Sequence, residues 1–278
     1  MNNAVQNSPV LQLTSASLAF GARTLWHDLT LTIQPGEFFA VLGPNGTGKT
    51  SLLKTILGQQ KLTSGSIEFL GAPVRKGLKQ IGYIPQQKLI EGGTPLRAKD
   101  LVELGVDGHR WGPPISTPAV KERVNEVLAA VGATSYAEVP VSMLSGGEQQ
   151  RVRVGQSIAA QPKLLLCDEP LLSLDLHHQR SVSELINAQR AAIGTAVVFV
   201  THDVNPILPY VDRVLYLAGG TFRVGTPDEV LRSDVLSAMY GTPVDVIRSR
   251  GRLAVLGTPD GAGAGHDHDH AELSGGAD

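Results

Sequence analysis

GPNGTGKT occupies residues 43–50, between EFFAVL at 37–42 and SLLKTILG at 51–58. The first flank is an unbroken apolar and aromatic run, as a buried strand requires. The second sets Leu52, Leu53, Ile56 and Leu57 at helical spacing, with Gly58 placed to end the helix. The octet itself fits G-x-x-x-x-G-K-[ST], a pattern that carries meaning only in this strand, loop, helix setting. Gly43, Pro44, Asn45, Gly46, Thr47 and Gly48 form the loop, and its unpaired backbone N–H groups meet the positive end of a helix dipole. Gly46 and Gly48 let the backbone close around a triphosphate without Cβ clashes. Lys49 brings a cation to the β and γ phosphates, and Thr50 brings a hydroxyl to Mg²⁺. A chance glycine turn with a lysine is the competing reading, and the paired strand and helix disfavour it.

A second apolar run, KLLLCDEP at 163–170, ends in two adjacent carboxylates. Neighbours on an extended chain point in opposite directions, so Asp168 and Glu169 are expected to serve different ends. Asp168 is assigned to the metal beside Thr50, and Glu169 to the general base facing an attacking water. An acidic turn closing a strand would explain either carboxylate alone. It does not explain the apolar strand, the pair and the upstream loop together.

LSGGEQQR at 144–151 is the third landmark. Ser145 as N-cap with Glu148 three residues on makes a capping box, which accounts for both of those residues. It leaves Gly146 and Gly147 without a reason.

With these three stretches in order, the chain resembles the ATPase subunits of ATP-binding cassette (ABC) transporters over about residues 11–252. The resemblance implies an α/β fold, a P-loop NTPase of the ABC cassette type with a mixed core sheet, an antiparallel β layer and a helical arm subdomain at about 87–150. It also implies ATP and Mg²⁺ as ligands. Phe20 matches the aromatic that stacks on adenine, where tyrosine is more usual, and Gln86 matches the glutamine that reaches Mg²⁺ and senses the membrane partner. Ser145, Gly146 and Gly147 match the signature that caps the γ-phosphate of a second cassette, although LSGGE departs from the commoner LSGGQ. Asp175 matches the loop that couples two active sites, and His202, in FVTHD, matches the histidine that contacts the γ-phosphate. Ser51 after Thr50 reverses the usual GKST order and keeps a hydroxyl at both places. His202 has independent support, because it follows the strand-like TAVVFV and ligands gather at the C-terminal ends of parallel strands. Gln86 and Phe20 rest on the resemblance alone.

Partners follow from the same source. They are a second cassette joined head to tail by ATP, membrane permease subunits docked on the helical arm, and, indirectly, an extracytoplasmic solute-binding protein. The expected location is the cytoplasmic face of a bacterial plasma membrane, held there peripherally. No apolar run reaches the roughly 20 residues needed to span a bilayer, and no signal-like segment opens the sequence. One cysteine, Cys167, excludes an internal disulfide, and a net charge of −2 argues against nucleic acid as a partner.

LQLTSASLAF, DLTLTI and SIEFLG alternate as half-buried antiparallel strands do, whereas KLLLC and TAVVFV are continuous, as parallel strands covered on both faces are. LRAKDLVELG and VKERVNEVLAAVG, interrupted by HRWGPPISTP, supply the arm helices, and DEVLRSDVLSAMYG supplies short helices near the end of the cassette.

The segments at 201–231 and 240–257 resemble the ATPases of zinc and manganese importers. Residues 253–278 read as a flexible tail in which His266, His268 and His270 alternate with Asp267 and Asp269, a composition able to bind transition metals. Importers of iron chelates or cobalamin remain the alternative cargo class. Non-transport cassette proteins of repair or translation fit less well, since the chain has no long coiled-coil interval and a single set of motifs. A plain kinase or GTPase lacks LSGG.

Overall fold

The computed structural model describes residues 8–86, 96–108, 117–172 and 174–257 of the 278. Its centre is a six-stranded sheet made of β3 (Phe38–Leu42), β6 (Ile81–Ile84), β7 (Leu164–Asp168), β8 (Ala196–Val200), β9 (Arg213–Ala218) and β10 (Thr221–Gly225). The order is β10-β9-β3-β8-β7-β6, parallel throughout except for the β9–β10 hairpin at one edge. A second sheet, wholly antiparallel, has the order β2-β1-β4-β5, from β1 (Leu11–Phe20), β2 (Arg23–Ile33), β4 (Ser64–Phe69) and β5 (Ala72–Pro73). The mixed core sheet and antiparallel layer read from the strand patterns are thus both present.

The continuous apolar runs split between two cores because successive side chains leave a strand on opposite faces. Phe38, Ala40, Cys167 and Phe199 enter one cluster, and their neighbours Phe39, Val41, Leu166 and Val200 enter the other. The second cluster joins the central sheet to the antiparallel sheet and to α1 (Lys49–Ile56), through Trp26, Leu29, Leu52, Leu53 and Ile56. The first receives the arm helices α2 (Ala98–Asp107) and α3 (Pro118–Ala130), together with α4 (Gly146–Ile158) and α5 (Leu176–Ile193). Fully buried side chains such as Phe38 and Phe199 each contribute about 1.5–3 kcal/mol. An exposed ion pair such as Arg232–Asp234 contributes about 0–1 kcal/mol, so burial decides the fold.

The helix termini follow local chemistry. Thr117 caps α3 by accepting from Val120 N, with Pro118 at the first helical position, and Asp175 caps α5 by accepting from His178 N. Short helices α6 (Pro227–Val230) and α7 (Ser233–Tyr240) precede a hairpin of β11 (Asp245–Ser249) and β12 (Arg252–Leu256). The hairpin packs on the cassette: Leu253 is buried, and the Asn205 side chain bonds both its N–H and its carbonyl. Chain organised with the cassette therefore runs past the boundary expected at 252. The histidines and aspartates at 266–270 lie outside the described residues, as do positions 87–95 and 109–116 of the arm.

Candidate nucleotide site

The loop 43–48 leaves β3 and enters α1, so it stands at the C-terminal edge of the parallel sheet. Gly48, the N-cap of α1, has left-handed backbone and no side-chain cap, and no acidic residue occupies the first turn. The orphan N–H groups and the positive helix end are therefore left for an anion. Gly43 holds a φ of 137°, and a Cβ there would sit 2.1 Å from the Leu217 carbonyl oxygen of β9. Glycine at 43 is thus required by the sheet beneath the loop as well as by the loop's shape, a contact invisible in sequence. We expect Gly43→Ala to lower Tm by more than about 5 °C in a thermal melt. Gly77→Ala, with positive φ but no atom within 4 Å of its Cβ, should cost far less.

Lys49 is only 5% exposed, and its Nζ donates to the Gly43 carbonyl at 2.7 Å and the Pro44 carbonyl at 2.9 Å. Burial lowers its pKa, and the charges of Glu169 and Asp168 oppose that shift. The amine is held inside the loop where an anion would enter. Thr47 closes the turn by donating to the Pro44 carbonyl at 2.9 Å.

Asp168 ends β7, buried, and accepts from Thr50 Oγ1 at 3.2 Å and Tyr83 Oη at 3.3 Å. Burial raises its pKa, while those two hydroxyl donors pull it down. Thr50 and Asp168 form a pair of hard oxygen donors one hydrogen bond apart, which suits Mg²⁺ with most of its ligands supplied by phosphate and water.

Glu169 faces elsewhere, as expected, but not because of strand alternation. Its φ is 47°, left-handed backbone that a non-glycine residue adopts at a cost, and it turns the side chain toward His202. The extended geometry assumed for the pair ends at Asp168. Glu169 Oε2 lies 3.8 Å from His202 Nδ1, and the two perturb each other through this polar side-chain contact, burial opposing and charge attraction adding. Glu169 is held below the usual carboxylate range and His202 above the usual imidazole range. A carboxylate so placed is ionised at neutral pH, the state a proton acceptor needs.

Lys49, Thr50, Glu169 and His202 line one cleft of about 850 Å³ together with Phe20, Asn45, Gly46, Gly48, Ser51 and Gln86, whereas Gly43, Pro44, Thr47 and Asp168 are not part of its lining. Phe20 is half exposed, so it is available for a planar ligand. Arg23, Leu25 and Leu172 also line the cleft, and sequence reading missed them. Arg23 donates to the Gly46 carbonyl at 2.8 Å. It comes from β2, distant in sequence from the loop, and only the packing of the two sheets reveals it.

Ser145, Gly146, Gly147 and Asp175 do not line this cleft. Ser145 caps α4 in a reciprocal capping box: its Oγ accepts from Glu148 N at 3.3 Å, and Glu148 Oε2 accepts from Ser145 N at 2.8 Å. Gly147 has a structural reason after all, since a Cβ there would lie 2.2 Å from the His178 ring. His178 is in turn bonded through Nδ1 to Asp175 at 2.8 Å in the first turn of α5, so the start of α4 abuts the start of α5. No described helix is long and apolar enough to cross a membrane.

The family model described as ABC transporter matches residues 26–172. The zinc import ATP-binding protein ZnuC of Yersinia enterocolitica is 32% identical over 234 residues, 84% of this chain and 86% of that protein. The spermidine/putrescine import ATP-binding protein PotA of Pasteurella multocida is 31% identical over 236 residues, 83% of this chain and 62% of that protein. Among solved structures, a chain of an inward-facing transporter described as metal-chelate type superposes with a TM-score of 0.75 at 26% identity, covering 89% of this chain and 96% of its own length. The cbiO1 protein of Clostridium perfringens shares the fold, with a TM-score of 0.70 at 24% identity over 83% of this chain and 93% of its own. The loop, the paired carboxylates and this family match agree: the chain is an ATPase of the ABC transporter family.

Proposed function

We propose that the chain hydrolyses ATP to power an importer of a transition-metal ion, zinc or manganese. The observation that carries this reading is the 32% identity to a zinc import ATP-binding protein along 84% of the chain, on a cleft with the residues for ATP hydrolysis. A spermidine/putrescine-importer relative at nearly equal identity and a structural relative of metal-chelate type make polyamine and metal-chelate cargo competitors, beside the iron-chelate and cobalamin classes left open by the sequence resemblance. Deleting the gene should sensitise cells to zinc or manganese chelation, with rescue by excess of one of the two metals. Growth failing only on a polyamine, an iron chelate or cobalamin would assign the cargo to a competitor.

In this reading Phe20 stacks on adenine, the loop 43–48 wraps the phosphates, and Lys49 moves from the Gly43 and Pro44 carbonyls to the β and γ phosphates. Thr50, Asp168 and Gln86 would hold Mg²⁺, which would neutralise charge on the phosphates. Glu169 accepts the proton of a water whose oxygen attacks the γ-phosphorus, while the bond to the bridging oxygen breaks and ADP leaves. His202, its pKa raised by the Glu169 carboxylate beside it, faces the same phosphate. Ser145, Gly146 and Gly147 cap the nucleotide of a second copy across a head-to-tail dimer, and Asp175 lies on the same face. That these residues stay outside the chain's own cleft fits this division of labour.

The arm helices α2 and α3 receive the permease subunits, a solute-binding protein acts through those subunits, and the cassette stays at the cytoplasmic face of the membrane. The hairpin that ends at Leu256 belongs to the cassette, and the histidine–aspartate run follows it in the sequence.

A further inference from the structure

We propose that Tyr83 is a positioning residue for the metal carboxylate, orienting Asp168 so that its Oδ1 faces Thr50 and the cation. The proposal rests on the reading of Asp168 as a metal ligand. Asp168 carries two equivalent oxygens on a torsion with a broad, shallow preference, so nothing intrinsic selects which one is presented. The two hydroxyls around it divide them: Thr50 takes Oδ1 at 3.2 Å, and Tyr83 takes Oδ2 at 3.3 Å. Tyr83 thus occupies the face of the carboxylate turned away from the phosphate loop. The oxygen on the loop side is left for the ion, in the manner of outer-shell partners that orient metal-binding carboxylates.

The tyrosine is itself held from two directions. In the parallel pairing of β6 with β7 it stands opposite Leu166, two residues before Asp168, so its ring runs along the strand toward the carboxylate. Its backbone carbonyl accepts from Ser157 Oγ at 2.9 Å, which ties this point of β6 to α4, the helix that opens at Ser145. Gln86 follows three residues later and lines the cleft. One short segment therefore places both Gln86 and the hydroxyl that sets Asp168. Phenylalanine at 83 would keep the packing and remove only the donor.

The test measures how much Mg²⁺ strengthens nucleotide binding, by titrating a fluorescent, non-hydrolysable ATP analogue into wild type, Tyr83→Phe and Asp168→Asn, with EDTA and with Mg²⁺. Tyr83→Phe should bind the analogue in EDTA within about twofold of wild type, while the gain from Mg²⁺ shrinks about tenfold, the lower end of the range for outer-shell substitutions. Asp168→Asn should lose most of that gain. An unchanged Mg²⁺ gain in Tyr83→Phe overturns the proposal. So does a fall in EDTA affinity together with a lower Tm, which would make Tyr83 a packing residue. If Asp168→Asn keeps the full gain, the metal reading of Asp168 fails whatever Tyr83 does.

Discussion

Glu169→Gln binds ATP, stops hydrolysing it, and accumulates as an ATP-bound dimer. The amide keeps the size and hydrogen-bonding reach of the carboxylate and leaves Thr50, Asp168 and Lys49 in place, but it cannot accept the water's proton. Loss of a general base costs about 100- to 10,000-fold in rate, or about 3–5 kcal/mol in the barrier. In the proposed head-to-tail dimer, nucleotide between the two signature faces holds the closed pair, so blocking hydrolysis should trap it, a population shift by a ligand that binds the closed form better. Size-exclusion chromatography with ATP and Mg²⁺ should show a dimer for Glu169→Gln. Ser145→Arg, which spoils the capping loop without touching the chain's own cleft, should stay monomeric. Hydrolysis near the wild-type rate would refute the base assignment. Binding without dimerisation would refute the head-to-tail sandwich.

Lys49→Ala loses most ATP affinity and all measurable hydrolysis. A charge-assisted hydrogen bond is worth about 1.5–3 kcal/mol, a factor of about 10 to 150 in affinity. The loss should sit at the top of that range, because the buried Lys49 reaches the loop from inside, where its charge is screened little by solvent. Calorimetric titration with ATP decides it, and unchanged affinity would remove the phosphate-loop assignment. Arg23, bonded to the Gly46 carbonyl at the cleft wall, is a second cation that limits the loss. Residual binding that falls further in Lys49→Ala with Arg23→Ala would fit this geometry.

What the sequence by itself determined was the local chemistry and its periodicity. Strand β3, helix α1 and the loop between them were legible because a buried strand, a glycine loop and an amphipathic helix each have a pattern within a few residues. The capping box at Ser145 and Glu148 was legible for the same reason, since a cap is an interaction across three residues. Gln86 and Phe20 carried no such signal and were found through family resemblance; the fold then brought both to the cleft.

The tertiary structure decided whatever depends on contacts between distant segments. Gly43 is constrained by the Leu217 carbonyl across the sheet, and Gly147 by the His178 ring across two helices. Arg23 reaches the loop from the other sheet, and Tyr83 reaches Asp168 from the neighbouring strand. The opposite aims of Asp168 and Glu169 were anticipated, yet a left-handed residue at the strand end produces them, because the sheet fixes Asp168 and the turn alone is free to swing Glu169 toward His202. Strand and helix patterns are short-range consequences of side-chain spacing, whereas these constraints arise only when strands far apart in the chain become neighbours in the sheet.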